Sequence, residues 1–305
     1  MRQTFAKEML NVGQIDDRLV VLVGDISHFA LQAFAKACPG RFYNVGICEP
    51  TIISIASGLS HAGFYPVVHT IAPFLIERGF EQIKLDFCYQ ELGGNLISVG
   101  SAFDYSGLGV SHYCYNDVAL IKSLPGTQIV CPAMPNEFTT IFGMTYHNSN
   151  LTYFRLPEVK HGFNISDDKI ELGKAIKLRD GEDITIIAFG PQLKTVVQCE
   201  TMLRNLGIDF ELIYIHTIKP FDVKTISDSA QKTGKVLAIE EHSMYGGGCD
   251  EVMRVVGNLM GVNAKYISIP NYFVHGYGKI EDHYEYLGFT SQNVLNYCKQ
   301  LLGLK

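Results

Sequence analysis

The side chains best suited to chemistry are a carboxylate, an imidazole and a guanidinium, each in a distinctive setting. Glu49 closes the segment Asn44-Val45-Gly46-Ile47-Cys48-Glu49-Pro50, just ahead of an apolar run with helical spacing. By itself it reads as a helix N-terminal acid favoured by the macrodipole. His112 ends a polar, glycine-rich loop from Ser101 to Asn116 and by itself reads as a solvated ring. Arg155 sits in Tyr153-Phe154-Arg155-Leu156-Pro157, where a surface ion pair is the plain reading. Phe74 and Phe80 lie either side of Arg78 with the spacing of two core phenylalanines on one helix, and Asp25-Ile26 follows directly on an apolar run. Glu241-His242 resembles an acid–base pair and Glu281-Asp282-His283 a metal-ligand run, but structural or interface roles suit both better. His28 and His69 fall at predicted strand ends without further support.

These residues need elements to hold them. Val20-Val23 reads as a buried strand ending at Gly24. Thr51 to Ala62 reads as a helix with Ile52, Ile53, Ile55, Ala56 and Leu59 on its apolar face, stopped by Gly63. Pro66-Thr70 and Leu96-Gly100 are further strands, with a helix from Phe74 to Cys88 between them. Val118 to Lys122 begins a helix, and Gln128-Cys131 is a strand. Strands alternating with helices predict a parallel sheet covered on both faces, with ligands beyond the carboxyl ends of the strands. A segment rich in Pro, Gly, Asp and Lys follows. A second α/β unit then begins, with strands at Ile184-Phe189, Phe210-His216 and Val236-Ile239. The expectation is two successive parallel-sheet-based α/β domains, residues 1–160 and 173–305, joined by a linker at 161–172.

Composition narrows the function classes. The chain has 305 residues, 47% apolar and 18% charged, with a formal net charge of -6, which marks a globular chain and gives no support for nucleic-acid binding. No apolar run reaches the roughly 18 residues of a membrane span, and the N-terminus lacks the apolar core of a signal peptide, so the expected location is the cytoplasm, away from any membrane. The eight cysteines contain no Cys-x-x-Cys pair and read as reduced thiols.

The motifs, taken in order, resemble the transketolase family. Gly46-Ile47-Cys48-Glu49 is similar to the segment that carries its cofactor-activating glutamate. Gly58-Leu59, Gly63-Phe64-Tyr65-Pro66, Phe74-x3-Arg78-Gly79-Phe80-Glu81-Gln82-Ile83, Ser111-His112 and Pro132-Ala133-Met134-Pro135-Asn136-Glu137 follow at the family's spacing. In the second unit so do His216-Thr217-Ile218-Lys219-Pro220-Phe221-Asp222, Glu240-Glu241-His242-Ser243 and Gly246-Gly247-Gly248. The resemblance implies a thiamine-diphosphate-binding fold of the pyrimidine type followed by a transketolase C-terminal-like domain. It does not extend to the Gly-Asp-Gly that anchors the diphosphate through magnesium: Gly24-Asp25-Ile26 imitates two of its residues only. The expected protein is therefore one half of a split enzyme, completed by an N-terminal-half transketolase subunit that holds the magnesium, with the pair self-associating about a two-fold axis.

Carried onto this sequence, the resemblance makes Glu49 the catalytic acid on the aminopyrimidine, with apolar neighbours such as Ile47 and Ile52 keeping water from it. Phe74 becomes the ring stacked on the pyrimidine, with Phe80 completing the pocket. Arg78, between the two phenylalanines, orients Glu49 or another acid, and Asp25 and Ile26 lie against the bent cofactor. His112 contacts the donor sugar and moves protons, and Arg155 grips a substrate phosphate. Two family contacts are missing, because Leu108 replaces an aspartate and Gly100 a histidine. Losing polar partners weakens recognition of an ordinary ketose, so a modified sugar is expected as substrate. The alternatives are a β-type subunit of a 2-oxo-acid dehydrogenase or deoxyxylulose-phosphate-synthase-like enzyme, a non-catalytic stabilising partner, and an α/β binding protein unrelated to thiamine.

Overall fold

The computed structural model describes residues 1–304. Two sheets organise it. The first contains β1 (Leu19–Val23), β2 (Phe42–Asn44), β3 (Tyr65–Ile71), β4 (Gly94–Val99), β5 (Thr127–Val130) and β6 (Leu151–Phe154). The second contains β7 (Ile176–Arg179), β8 (Ile184–Phe189), β9 (Phe210–Ile215), β11 (Lys235–Ser243) and β12 (Asn263–Ile269). The remaining strand, β10 (Thr217–Lys219), comes from the second half of the chain but pairs antiparallel with β5, so the first sheet runs β10-β5-β6-β4-β3-β1-β2. The second runs β12-β11-β8-β9-β7, with β7 antiparallel at its edge.

Every residue of β1, β4, β6, β8 and β9 is buried. Helices cover both faces of a parallel sheet, so these strands are mostly apolar runs rather than alternating ones, and their few polar residues, Asn95, Ser98, Thr152, Thr185 and Glu211, are buried as well. β2, β7 and β10 carry no such run. They are short edge strands, two of them antiparallel, and periodicity carries no signal for them.

After β1 the chain crosses to β2 on one side, then returns to β3 on the other. This reversal opens a crevice at the carboxyl end of β1, the usual ligand position in open α/β sheets. Asp25 stands at that end, with Asn44 and His69 at the register positions of Val23 on either side.

The expected helix from Phe74 to Cys88 is instead π-helical at Phe74–Arg78 and Ile83–Cys88, around one α turn at Phe80–Gln82. The connecting segment 161–172 is packed rather than free. His161, Ile165 and Ile170 are buried, and Asn136 donates to the Ile165 carbonyl at 2.8 Å.

Candidate active site

Gly46, at φ +88°, turns the chain out of β2 into the helix Glu49–His61, with Pro50 in the first turn where its missing N–H costs nothing. Glu49 is thereby placed at the helix start and is only 1% exposed. Ile52, one turn on, is fully buried behind it, whereas Ile47 points outward at 70% exposure. Ile47 therefore does not shield Glu49 from water as its position in the sequence suggested.

Across from this helix lies the π turn Phe74–Arg78. Its approach depends on Gly79: a Cβ there would stand 2.1 Å from Ile53 Cδ1 and 2.9 Å from the Leu75 carbonyl. The close fit carries Arg78 to Glu49, and Nη1 donates to Glu49 Oε2 at 2.7 Å. The same guanidinium lies 4.2 Å over the Phe74 ring. The His112 ring meets Phe74 edge-on at 5.1 Å. Glu49, Arg78, Phe74 and His112 thus form one connected cluster. The other carboxylate oxygen, Glu49 Oε1, is buried with no hydrogen-bond partner among the described residues. Leaving such an atom unpaired costs about 1–3 kcal/mol, so the fold keeps an oxygen ready for a polar group from outside the chain. A buried carboxyl with one free oxygen beside an aromatic face fits the ring nitrogen of an aminopyrimidine.

Asp25 and Ile26 sit in a strained turn. Asp25 and Ser27 both have positive φ, +55° and +58°, costly for non-glycine residues. The turn is pinned at both ends. The Asp25 N–H donates to Asn44 Oδ1 and the Asn44 amide donates to Asp25 Oδ1, each at 3.0 Å. Ser27 Oγ lies 3.0 Å from His69 Nε2, and His69 Nδ1 lies 2.9 Å from the Ile97 carbonyl. Burial pushes the His69 pKa down to about 3, so the ring is neutral: Nδ1–H donates to the carbonyl and Nε2 accepts from Ser27. Neither Asn44 nor His69 was assigned a role from sequence. The signal was present for Asn44, at the start of the glutamate segment.

Phe80 is half-buried on the apolar cluster that contains Ile53, Ile76 and Ile83. Its ring takes no part in the cluster of Glu49, Phe74 and His112, and the expected closing role for it has no support in this geometry.

Arg155 does not fit its expected role. It is 4% exposed, and all three of its nitrogens are engaged: Nε with Asp117 Oδ2 at 2.8 Å, Nη1 with the Glu241 carbonyl at 3.1 Å, Nη2 with the Cys114 carbonyl at 2.7 Å. A guanidinium so committed has no edge left for a phosphate. The cationic groups open to solvent near the β3 and β4 ends are Arg2 and Lys160. They line a cavity of about 380 Å³ with His69, Ser98, Gly100 and Glu158. Sequence reading missed Arg2 because nothing in the chain's first residues places them beside Gly100. Only the packing of the helix Arg2–Gly13 does so. Glu241 and His242 are likewise buried between the two halves, and Glu241 accepts from Tyr284 at 2.8 Å. His283 faces Tyr113.

The sequence family described as "Transketolase, pyrimidine binding domain" matches residues 1–161, and that described as "Transketolase, C-terminal domain" matches residues 173–294. Among curated proteins, a subunit of the apulose-4-phosphate transketolase of Phocaeicola vulgatus is 32% identical over 249 residues, 81% of this chain and 80% of that one. The 6-deoxy-6-sulfo-D-fructose transketolase subunit SqwH of a Clostridium species is 30% identical, covering 81% and 77%. A solved structure described as "Split gene transketolase, inactive beta4 tetramer" superposes with a TM-score of 0.89 at 29% identity, covering 100% of this chain and 98% of that one. The chain belongs to the transketolase family, transferases that depend on thiamine diphosphate, and corresponds to the pyrimidine-binding subunit of its split members.

Proposed function

We propose that this chain is the cofactor-activating subunit of a thiamine-diphosphate-dependent transketolase. It works with a separate N-terminal-half subunit and transfers a two-carbon ketol unit between sugars, at least one of them modified. The observation that carries the reading is Glu49: buried, oriented by Arg78 through one oxygen, and unpartnered at the other. The cofactor, when bound, supplies the electron sink for carbanion chemistry. The chain's own task is narrower. Glu49 holds or shares a proton at the pyrimidine nitrogen, Arg78 fixes the carboxyl's direction, and Phe74 offers a flat apolar face. Asp25 and Ile26, on their pinned turn, would help hold the cofactor. His112, at the edge of Phe74, would contact the donor sugar and move protons there.

The sequence carries no Gly-Asp-Gly, which supports the reading that the partner holds the magnesium and the diphosphate. Two copies of each chain, related by a two-fold axis, would complete two sites. A structural relative described as an inactive β4 tetramer is in keeping with a chain that self-associates but needs its partner for activity. The two modules, residues 1–160 and 173–305, follow the same reading.

The substrate is proposed from the loop and the neighbouring cavity. Leu108, 53% exposed, stands where family members place an aspartate. Gly100 lines the cavity that holds Arg2 and Lys160. Arg2 pairs there with Glu158 at 3.3 Å, which leaves Lys160 as the exposed cation for an anionic terminus, and relatives are named for a sugar phosphate and a sulfosugar. The reconstituted pair is expected to turn over 6-deoxy-6-sulfo-D-fructose or apulose 4-phosphate at least tenfold more efficiently than xylulose 5-phosphate, by kcat/KM. Equal or better turnover of xylulose 5-phosphate would remove the modified-sugar part of the proposal. Activity with pyruvate as donor would favour the synthase-like reading, since 1-deoxy-D-xylulose-5-phosphate synthase of Desulforudis audaxviator is 29% identical over 90% of this chain.

A further inference from the structure

We propose that the C-terminal half of the chain positions His112, with His283 and Tyr277 as positioning residues for the transfer reaction. The inference rests on the reading above that His112 meets the substrate. The loop bearing His112 has little regular structure, only two 3-10 turns at Ser106–Leu108 and Val110–His112. Its shape is imposed from outside, by residues more than a hundred positions away.

Four tethers meet the loop within three residues of His112. Tyr113, next to it, is 3% exposed, and its hydroxyl donates to the Gly276 carbonyl at 2.7 Å. His283 Nε2 lies 2.7 Å from the same hydroxyl oxygen. Because the single phenolic hydrogen is committed to Gly276, the arrangement that satisfies both groups has His283 Nε2–H donating to Tyr113. At Gly109 a Cβ would stand 2.6 Å from the Tyr277 ring, so the aromatic edge rests on bare backbone. Gly109 has φ +80°, so a side chain there would be strained as well as displaced. The Cys114 carbonyl is tied through Arg155 to the Glu241 carbonyl. The Tyr115 carbonyl accepts from the Ser243 N–H at 2.7 Å.

The two aromatic tethers differ in a useful way. His283 is buried at 5% exposure and also packs edge-on against Phe103 at 5.0 Å. Tyr277 is 76% exposed, so its ring contributes little to the core and its contact with Gly109 can be removed without opening a cavity. Together they hold the backbone on both sides of His112 in the geometry that brings its ring to Phe74. A displacement of about 1 Å at such a group costs on the order of a hundredfold in rate.

The test measures amide hydrogen exchange in the isolated chain, and kcat and KM in the chain assembled with its N-terminal-half subunit. Tyr113→Phe and His283→Ala, which each remove a buried hydrogen bond, are expected to speed exchange across residues 106–115 by about fivefold or more, and Tyr277→Ala, which removes only the ring resting on Gly109, to speed it measurably but less. Exchange in β4 and β11 should not change. The same variants should lower kcat with little change in cofactor affinity, and His283→Gln, which keeps a donor near Nε2, should recover most of the loss. Unchanged loop exchange in all three variants, or loop and strands loosening together, would overturn the proposal. If His283→Ala does not fold, Tyr277→Ala carries the test alone. Exchange is read without partner or substrate, so a failure of the transketolase reading would show separately, as absence of activity in the wild-type assembly.

Discussion

At Glu49 the chain leaves a buried carboxylate oxygen without a partner, a cost that folded proteins normally avoid. The sequence placed the acid at the head of a helix, and the family resemblance implies the role proposed for it. What no pattern could supply was the pairing with Arg78, which depends on two helices meeting at Gly79. Glu49→Gln preserves the shape and removes the proton exchange. It is expected to lower kcat of the assembled enzyme by about 10²-fold or more with the thermal midpoint unchanged, and activity within a few-fold of wild type would discard the assignment. Arg155 shows the opposite case. Its residue type suited a phosphate, but the burial of Asp117 beneath it claims the guanidinium for a buried pair, and such pairing is not visible along a chain. Arg2, paired with Glu158 and Tyr105, is brought beside Gly100 by packing that is equally invisible along the chain.

Among the elements, most buried strands were legible because each is dominated by apolar residues, though the four-residue β6 was missed, and the helix at Glu49 was legible because its apolar residues repeat with helical spacing. The π-helical turns were not, because a π turn differs from an α turn by one residue in the ring and leaves the apolar spacing nearly intact. Yet that distortion brings Arg78 and Phe74 to the site. Gly79→Ala tests the element directly, since the added methyl group has no room against Ile53 and Leu75. It is expected to cost about 1–3 kcal/mol in a denaturant titration and to weaken cofactor binding in the assembled enzyme. A fully stable variant with normal binding would show that the close helix contact is not what places Arg78. β2, β6, β7, β10 and β12 are strands that the sequence pattern did not announce, and β10 is the one among them tied to the other half of the chain. Three residues without periodicity become a strand only because β5 offers an unpaired edge.

For the molecule as a whole, the two α/β halves were legible from alternating strands and helices, while their joining was not. β10, Arg155 and the contacts around Tyr113 tie the halves together through side chains and edges that carry no sequence period. Glu241 lies in this junction, and burial pushes its carboxyl pKa up to about 8, with the nearby Arg155 charge only partly opposing the shift. A carboxyl raised in this way binds its proton more tightly folded than unfolded. Its contribution to stability is complete below the ordinary value near 4.5 and is lost as pH rises through about 8. The thermal midpoint of wild type should therefore fall more steeply between pH 5 and pH 8.5 than that of Glu241→Gln, and parallel curves would place the titration elsewhere. The central claim, that this chain supplies half of a shared cofactor site, is tested most directly by calorimetric titration of thiamine diphosphate with magnesium into the chain alone and into its mixture with the N-terminal-half subunit. Tight binding in the mixture and none in the chain alone is the expected result, and tight binding by the chain alone would contradict it.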